Sequence, residues 1–166
     1  MDRSKKVIFT SHCVLNQNTV VCPLARAKGP YRDIVQKLME EGIGIHQLPC
    51  PEYRHLGLKR KPMTKSQYDT VEFRNLCKKI GKDAVNIMKE YLDNDYLIVG
   101  LLGIKGSPSC SLRGEKGILM EELLSIAKDN GISLNLLDVP GEYVDGKDNK
   151  EFIEDLEGFL SFHQEP

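Results

Sequence analysis

Five cysteines stand at positions 13, 22, 50, 77 and 110, and three of them share a context. Cys13 lies in Ser11-His12-Cys13-Val14-Leu15, Cys50 in Cys50-Pro51-Glu52, and Cys110 in Lys105-Gly106-Ser107-Pro108-Ser109-Cys110. Each follows a short apolar run and sits beyond it, whereas a packing cysteine belongs inside the run as a small buried hydrophobe. There is no CxxC pair, no zinc-ribbon spacing, and the odd count argues against a disulfide framework. A structural zinc site is closed by four ligands, so three thiolates do not make one. Iron–sulfur clusters are held by cysteine thiolates, commonly four. With three, one iron keeps an open position and serves as a Lewis acid. Gly106, Ser107, Ser109 and Ser111 are small enough for backbone and hydroxyl groups to approach a cluster and tune it. The other two cysteines read differently. Cys77 shares an apolar helical stripe with Leu76 and Ile80 and reads as core. Cys22 reads as structural and is the one substitute ligand.

Several further residues fall near these positions. Glu52, two residues after Cys50, is either a general acid/base or a cap and partner of Arg54. Ser107 and Ser109 either serve the site or satisfy turn backbone. Lys105 either orients an anion or is solvated. His12 is placed for a proton shuttle, His46 reads as a core histidine, and His55 and His163 as surface residues. Glu142 and Tyr143 either wall a pocket or form a plain loop. The basic run Leu58–Lys65 is a solvated loop or an anion gate. Two other function classes compete. A cysteine-nucleophile phosphatase needs C-x5-R, but Thr19 stands where the arginine would follow Cys13, and Arg113 is too close to Cys110. A non-catalytic carrier would use the same three thiolates to hold and pass on a metal, a cluster or sulfur.

The elements that must position these residues alternate. Strands are expected at Lys6–Thr10, Ile43–Leu48, Tyr96–Ile104 and Ile132–Leu137. Helices are expected at Tyr31–Glu41, Gln67–Leu92, Gly117–Asn130 and Asn149–Phe162, each with apolar residues at helical spacing. The order βαβαβαβα predicts an α/β three-layer sandwich with a four-stranded parallel sheet, flavodoxin-like or Rossmann-like, in the order 2-1-3-4. Ligands of such sheets bind beyond the carboxyl ends of the strands. Neighbouring strands lie about 4.8 Å apart, so loops leaving the same edge can gather Cys13, Cys50 and Cys110. One domain, residues 1–166, is expected from the length. The net charge of −1 offers no field for a nucleic acid polymer or an anionic membrane. The N-terminal apolar run, Val7–Phe9, is too short for a signal peptide or membrane span, and a cytoplasmic location is expected. Nothing in the sequence sets an oligomeric state.

The three cysteine motifs, taken in order and each after a strand, resemble those of the thiouracil desulfidase (TudS) family: S-x-C-L-L-G, C-P-E and S-P-S-C-G. Here they read Ser11-His12-Cys13-Val14-Leu15, Cys50-Pro51-Glu52 and Ser107-Pro108-Ser109-Cys110, with Lys105 also matching. The resemblance covers about the first two-thirds of the chain. It implies a 4Fe–4S cluster on Cys13, Cys50 and Cys110, whose open iron takes sulfur from a small thiolated substrate such as a nucleobase. It places Glu52 beside the active site. The expected activity is hydrolytic desulfidation, with Glu52, Ser109 and Lys105 as catalytic residues and Glu52 activating the water. The chain departs from the family where "NQNTVV" replaces C-R-Y-D-G, where "YRHLGLKRKP" replaces a Gly-rich run ending in Pro-Arg, and at Ser111, where the family has Gly. The ligand positions match; those that would read the substrate do not.

Overall fold

Val7, Ile8, Phe9 and Thr10 are all buried, as a strand covered on both faces requires. They belong to β1 (Lys6–Thr10) of a computed structural model that describes residues 1–162. Next come α1 (His12–Leu15), a 3-10 turn at Gln17–Thr19, α2 (Arg32–Glu40), β2 (Gly44–Gln47), α3 (Pro51–Leu56), α4 (Lys65–Tyr68) and α5 (Val71–Asp93). The chain continues through β3 (Leu97–Ile104), α6 (Ile118–Asp129), β4 (Leu136–Val139) and α7 (Lys150–Ser161). All pairings are parallel and the order is β2-β1-β3-β4, the 2-1-3-4 arrangement expected. The register between β1 and β3 slips at Val7/Ile8.

Alternate residues of the strands feed two cores. Phe9 and Leu101 face α5 and α6 with Phe73, Ile80, Met88, Leu119 and Leu123. Ile8 and Leu102 face α2 and α7 with Ile34, Leu38, Leu156 and Leu160. Helices therefore cover both faces. Close approach of α5 to α6 uses Gly81, where a Cβ would lie 3.1 Å from Leu123 Cα. No helix among the described residues is long and apolar enough to cross a membrane.

Three differences from expectation have local causes. The long helix splits because Thr64 closes a capping box with Gln67 around α4, and Thr70 then accepts from Phe73 N to start α5. The last strand starts at Leu136 rather than Ile132. Ile132 and Leu134 instead pack half-buried beside α5 and α6, and main-chain pairing begins where Leu101 N donates to Asn135 O. Finally, α1 and α3 are too short to show a period in sequence, yet both bear on the cysteines.

Candidate active site

The parallel sheet brings the ends of β2, β1 and β3 side by side, and each end delivers one cysteine. Cys13 sits in α1, one turn past β1. The Gln17 amide donates to Cys13 O at 2.8 Å, and Gln17 Oε1 accepts from Arg26 N at 3.0 Å, which fixes the path of this loop. Cys50 is the N-cap of α3. Its sulfur accepts from Tyr53 N at 3.4 Å, and Pro51 opens the helix at the position that tolerates proline. Cys110 lies in the turn after β3, where Ser107 Oγ accepts from Cys110 N at 3.0 Å and Cys110 O accepts from Ile104 N. Asp138, buried in β4, accepts from Leu112 N at 3.0 Å and Arg113 N at 2.9 Å. A side chain at Gly103 would overlap Cys110 O, and one at Gly117 would overlap the Ser109 backbone. The Cys110 turn is thus pressed against β3, β4 and the start of α6.

Cys13, Cys50 and Cys110 line one cavity of about 180 Å³ together with Glu52 and Arg60. Val20, Val21, Ile104 and Pro108 give it apolar walls. All three cysteines are free thiols. Burial, then the charge of Cys50, pushes Cys13 up to about 12. Burial raises Cys50, partly offset by the Tyr53 amide. Burial and then the other two thiols hold Cys110 well above its ordinary value, while the Ser11 hydroxyl beside it pulls the other way. Burial is the first cause at each of the three sulfurs, and each thiol would give up its proton on binding a metal. Thr10 Oγ1, at the end of β1, is buried with no hydrogen-bond partner among the described residues. Among the described residues, no three His, Cys, Asp or Glu side chains are grouped to hold a single metal ion. A single ion needs every ligand within about 2.3 Å of one centre. A cluster binds each thiolate to a different iron and takes a wider spacing. Three cysteine thiols lining one cavity are the donor type that iron–sulfur clusters take.

Glu52 follows Cys50 into the same cavity and is 8% exposed. Its carboxylate is held on three sides. Tyr68 donates its hydroxyl to Oε1 at 3.0 Å, Ser109 donates to Oε2 at 2.7 Å, and Arg60 Nε lies 3.5 Å from Oε1.

Residues 23–117 match the family described as putative 2-thiouracil desulfurase, a span that starts after Cys13 and holds Cys50 and Cys110. An uncharacterized protein of Methanocaldococcus jannaschii, MJ0003, is 37% identical over 158 residues, covering 95% of this chain and 99% of its own. The chain belongs to the putative 2-thiouracil desulfurase family. No solved structure matches it.

Within this desulfurase-family chain the remaining candidates separate clearly. Ser109 is fully buried and spends its hydroxyl on Glu52, so it positions that carboxylate, while Ser107 lines the cavity and caps the turn. Lys105 is exposed at the rim, where the cavity meets two neighbouring clefts. His12 faces Thr19 Oγ1 at 3.1 Å and is absent from the cavity lining. Burial and the Arg54 charge lower its pKa. His46 stacks on Phe9, and burial lowers its pKa. His55, expected at the surface, is half-buried against Phe73 because α3 lays it on the start of α5. His163 lies outside the described residues. Tyr143 is core, edge-on to Tyr31 and Phe152, and exposed Glu142 lines a separate cleft, so neither walls the cysteine cavity. Cys77 is fully buried in the core and Cys22 is exposed.

Sequence reasoning missed Arg60, Tyr68 and Asp138. Arg60 belongs to the run read as solvated loop or anion gate, but its side chain is 3% exposed. Tyr68 sits in a polar stretch with no apolar period. Asp138 fell past the expected strand end. Only the β4 shift, signalled by a carboxylate next to Val139 and Pro140, carries a trace in sequence.

Proposed function

We propose that this protein is an iron–sulfur-dependent desulfidase that removes sulfur hydrolytically from a small thiolated compound, a nucleobase or a related cyclic thioamide. One observation carries the reading: Cys13, Cys50, Cys110 and the carboxylate of Glu52 line one small cavity at the carboxyl edge of the sheet. The name of the matching family, putative 2-thiouracil desulfurase, supports the substrate class.

Cys13, Cys50 and Cys110 would hold a 4Fe–4S cluster, which supplies a Lewis acid for the substrate's sulfur when bound. The chain's own residues do the rest. Val20, Val21, Ile104 and Pro108 give apolar walls suited to a small ring. Glu52 holds a water against the thiocarbonyl carbon and takes its proton as that carbon becomes a carbonyl. Tyr68 engages Oε1 and Ser109 engages Oε2, so Oε2 keeps a lone pair for the water and the carboxylate is held in place. A positioned general base is worth typically about 10²- to 10⁴-fold in rate. Lys105, exposed at the rim, steers a substrate with an acidic N–H, ionised or polarised by its sulfur. The overall reaction exchanges sulfur for water oxygen and needs no electron donor.

The test is sulfide release from a panel of thiolated bases and thioamides by anaerobically reconstituted protein, with oxygen-18 water tracing the product carbonyl. Turnover with label incorporation is expected. Glu52→Gln should keep its iron and lose about 10²-fold or more of kcat. Reconstituted protein that releases no sulfide from any substrate but passes its cluster to an apo-acceptor would replace this reading with that of a carrier.

A further inference from the structure

Arg60 is the one member of the basic run Leu58–Lys65 whose side chain lies in the cavity wall. Its guanidinium reaches three places at once. Nη2 donates to Thr19 O at 2.7 Å, in the 3-10 turn that follows the Cys13 helix. Nη1 donates to Gly57 O at 3.1 Å, at the end of the helix that Cys50 caps. Nε lies 3.5 Å from Glu52 Oε1, is buried, and makes no hydrogen bond among the described residues.

We propose that Arg60 is a positioning residue that sets the aim of Glu52, by clamping the segment after Cys13 to the helix after Cys50 and holding its Nε–H in reserve for the carboxylate. The inference rests on the desulfidase reading for what Glu52 does, but the clamp itself stands on the chain's own contacts. Two arms are engaged by backbone carbonyls, which fixes the plane of the guanidinium, and the third faces Oε1 at 3.5 Å without making a hydrogen bond. Catalytic hydrogen bonds are often long before substrate arrives and shorten with it. Tyr68 and Ser109 fix the carboxylate from the α4 and Cys110 sides; Arg60 closes it from the third. The planar fork is essential. A lysine would bring the same charge as a single point and could not span Thr19 O, Gly57 O and Glu52 together. Burial of this pair also means that removing either partner strands a charge, so Arg60 and Glu52 should respond to substitution as a unit.

The experiment compares Arg60→Gln, Arg60→Lys, Glu52→Gln and the Glu52→Gln/Arg60→Gln double variant, reconstituted with iron and sulfide and assayed on 2-thiouracil and a simple thioamide. Arg60→Gln and Arg60→Lys should both retain the iron and change KM by less than about threefold, while kcat falls about tenfold or more, the scale expected when a reacting group is misplaced. The double variant should lose no more kcat than Glu52→Gln alone. Native kcat in Arg60→Gln, full rescue by lysine, or multiplicative losses in the double variant would each overturn the proposal. An arm without turnover keeps it distinguishable from the desulfidase reading. In metal-free protein, Arg60→Lys, which keeps the charge that lowers the Cys13 and Cys50 thiols but not the fork, should speed alkylation of Cys13 and Cys50 while leaving Cys110 unchanged. Unchanged alkylation rates at Cys13 and Cys50 in Arg60→Lys protein would dismiss the clamp even if no substrate is ever turned over.

Discussion

Each cysteine's role is set by what surrounds its sulfur. Cys77 is buried in the core, and Cys22 is exposed outside the cavity lining, whereas the other three line that cavity. Cys13→Ala, Cys50→Ala and Cys110→Ala should each abolish stable iron binding after anaerobic reconstitution. Cys77→Ala should keep the iron and lose about 1–2 kcal/mol of stability, the cost of deleting a small buried group. Iron content and a denaturation midpoint measure both. A bleached Cys22→Ala beside a coloured Cys13→Ala would reverse the ligand assignment. Glu52 differs from the thiols in having its partners already in place, which is why its substitution is expected to act on rate rather than on iron.

The elements matter through their ends. Parallel alternation made the sheet and its order legible from sequence, and with them the shared edge at which Cys13, Cys50 and Cys110 meet. The apolar stripes of α5, α6 and α7 likewise announced both cores. What stayed hidden was built from single long-range contacts. Arg60 looks like its neighbours Lys59 and Lys61 until the fold brings Thr19 O and Glu52 to it, and Tyr68 gains meaning only from a carboxylate sixteen positions earlier. Asp138 is such a contact too, a carboxylate at the tip of β4 that fastens the Cys110 turn. Asp138→Ala removes the acceptor from two buried or half-buried amides, a loss of about 1–3 kcal/mol. It should lower the iron bound per chain without changing helix content by circular dichroism. Gly117→Ala should do the same more severely, because the added methyl overlaps the Ser109 backbone and displaces the turn. Full iron occupancy in both variants would show that the turn holds its shape without them.

For the molecule as a whole, three raised thiols link protons to stability. In the metal-free fold Cys13 is held up to about 12 against an ordinary 9.0, with Cys50 and Cys110 raised as well. The folded state therefore holds these protons more tightly than the unfolded chain. The stability they contribute is fully present below about pH 9 and is lost as pH climbs toward 12. Tyr31, pushed up to about 12 mainly by burial, adds in the same direction. The urea midpoint of metal-free protein should fall between pH 8 and pH 10.5, and in Cys13→Ala it should fall less. Iron loading should show the opposite trend, strengthening as pH rises, because each thiol gives up a proton to bind.

The strand order also governs when the site can exist during synthesis. Cys13 leaves the ribosome first and Cys50 next, and Cys110 follows only after β3, which pairs with β1 on the side away from β2. A nascent chain that ends at β2 carries two thiols at neighbouring strand ends with nothing opposite them. Only after β4 delivers Asp138 is the third turn fastened. A cluster held by all three cysteines would therefore be loaded into a sheet whose strands are already paired, through the cavity mouth beside Lys105.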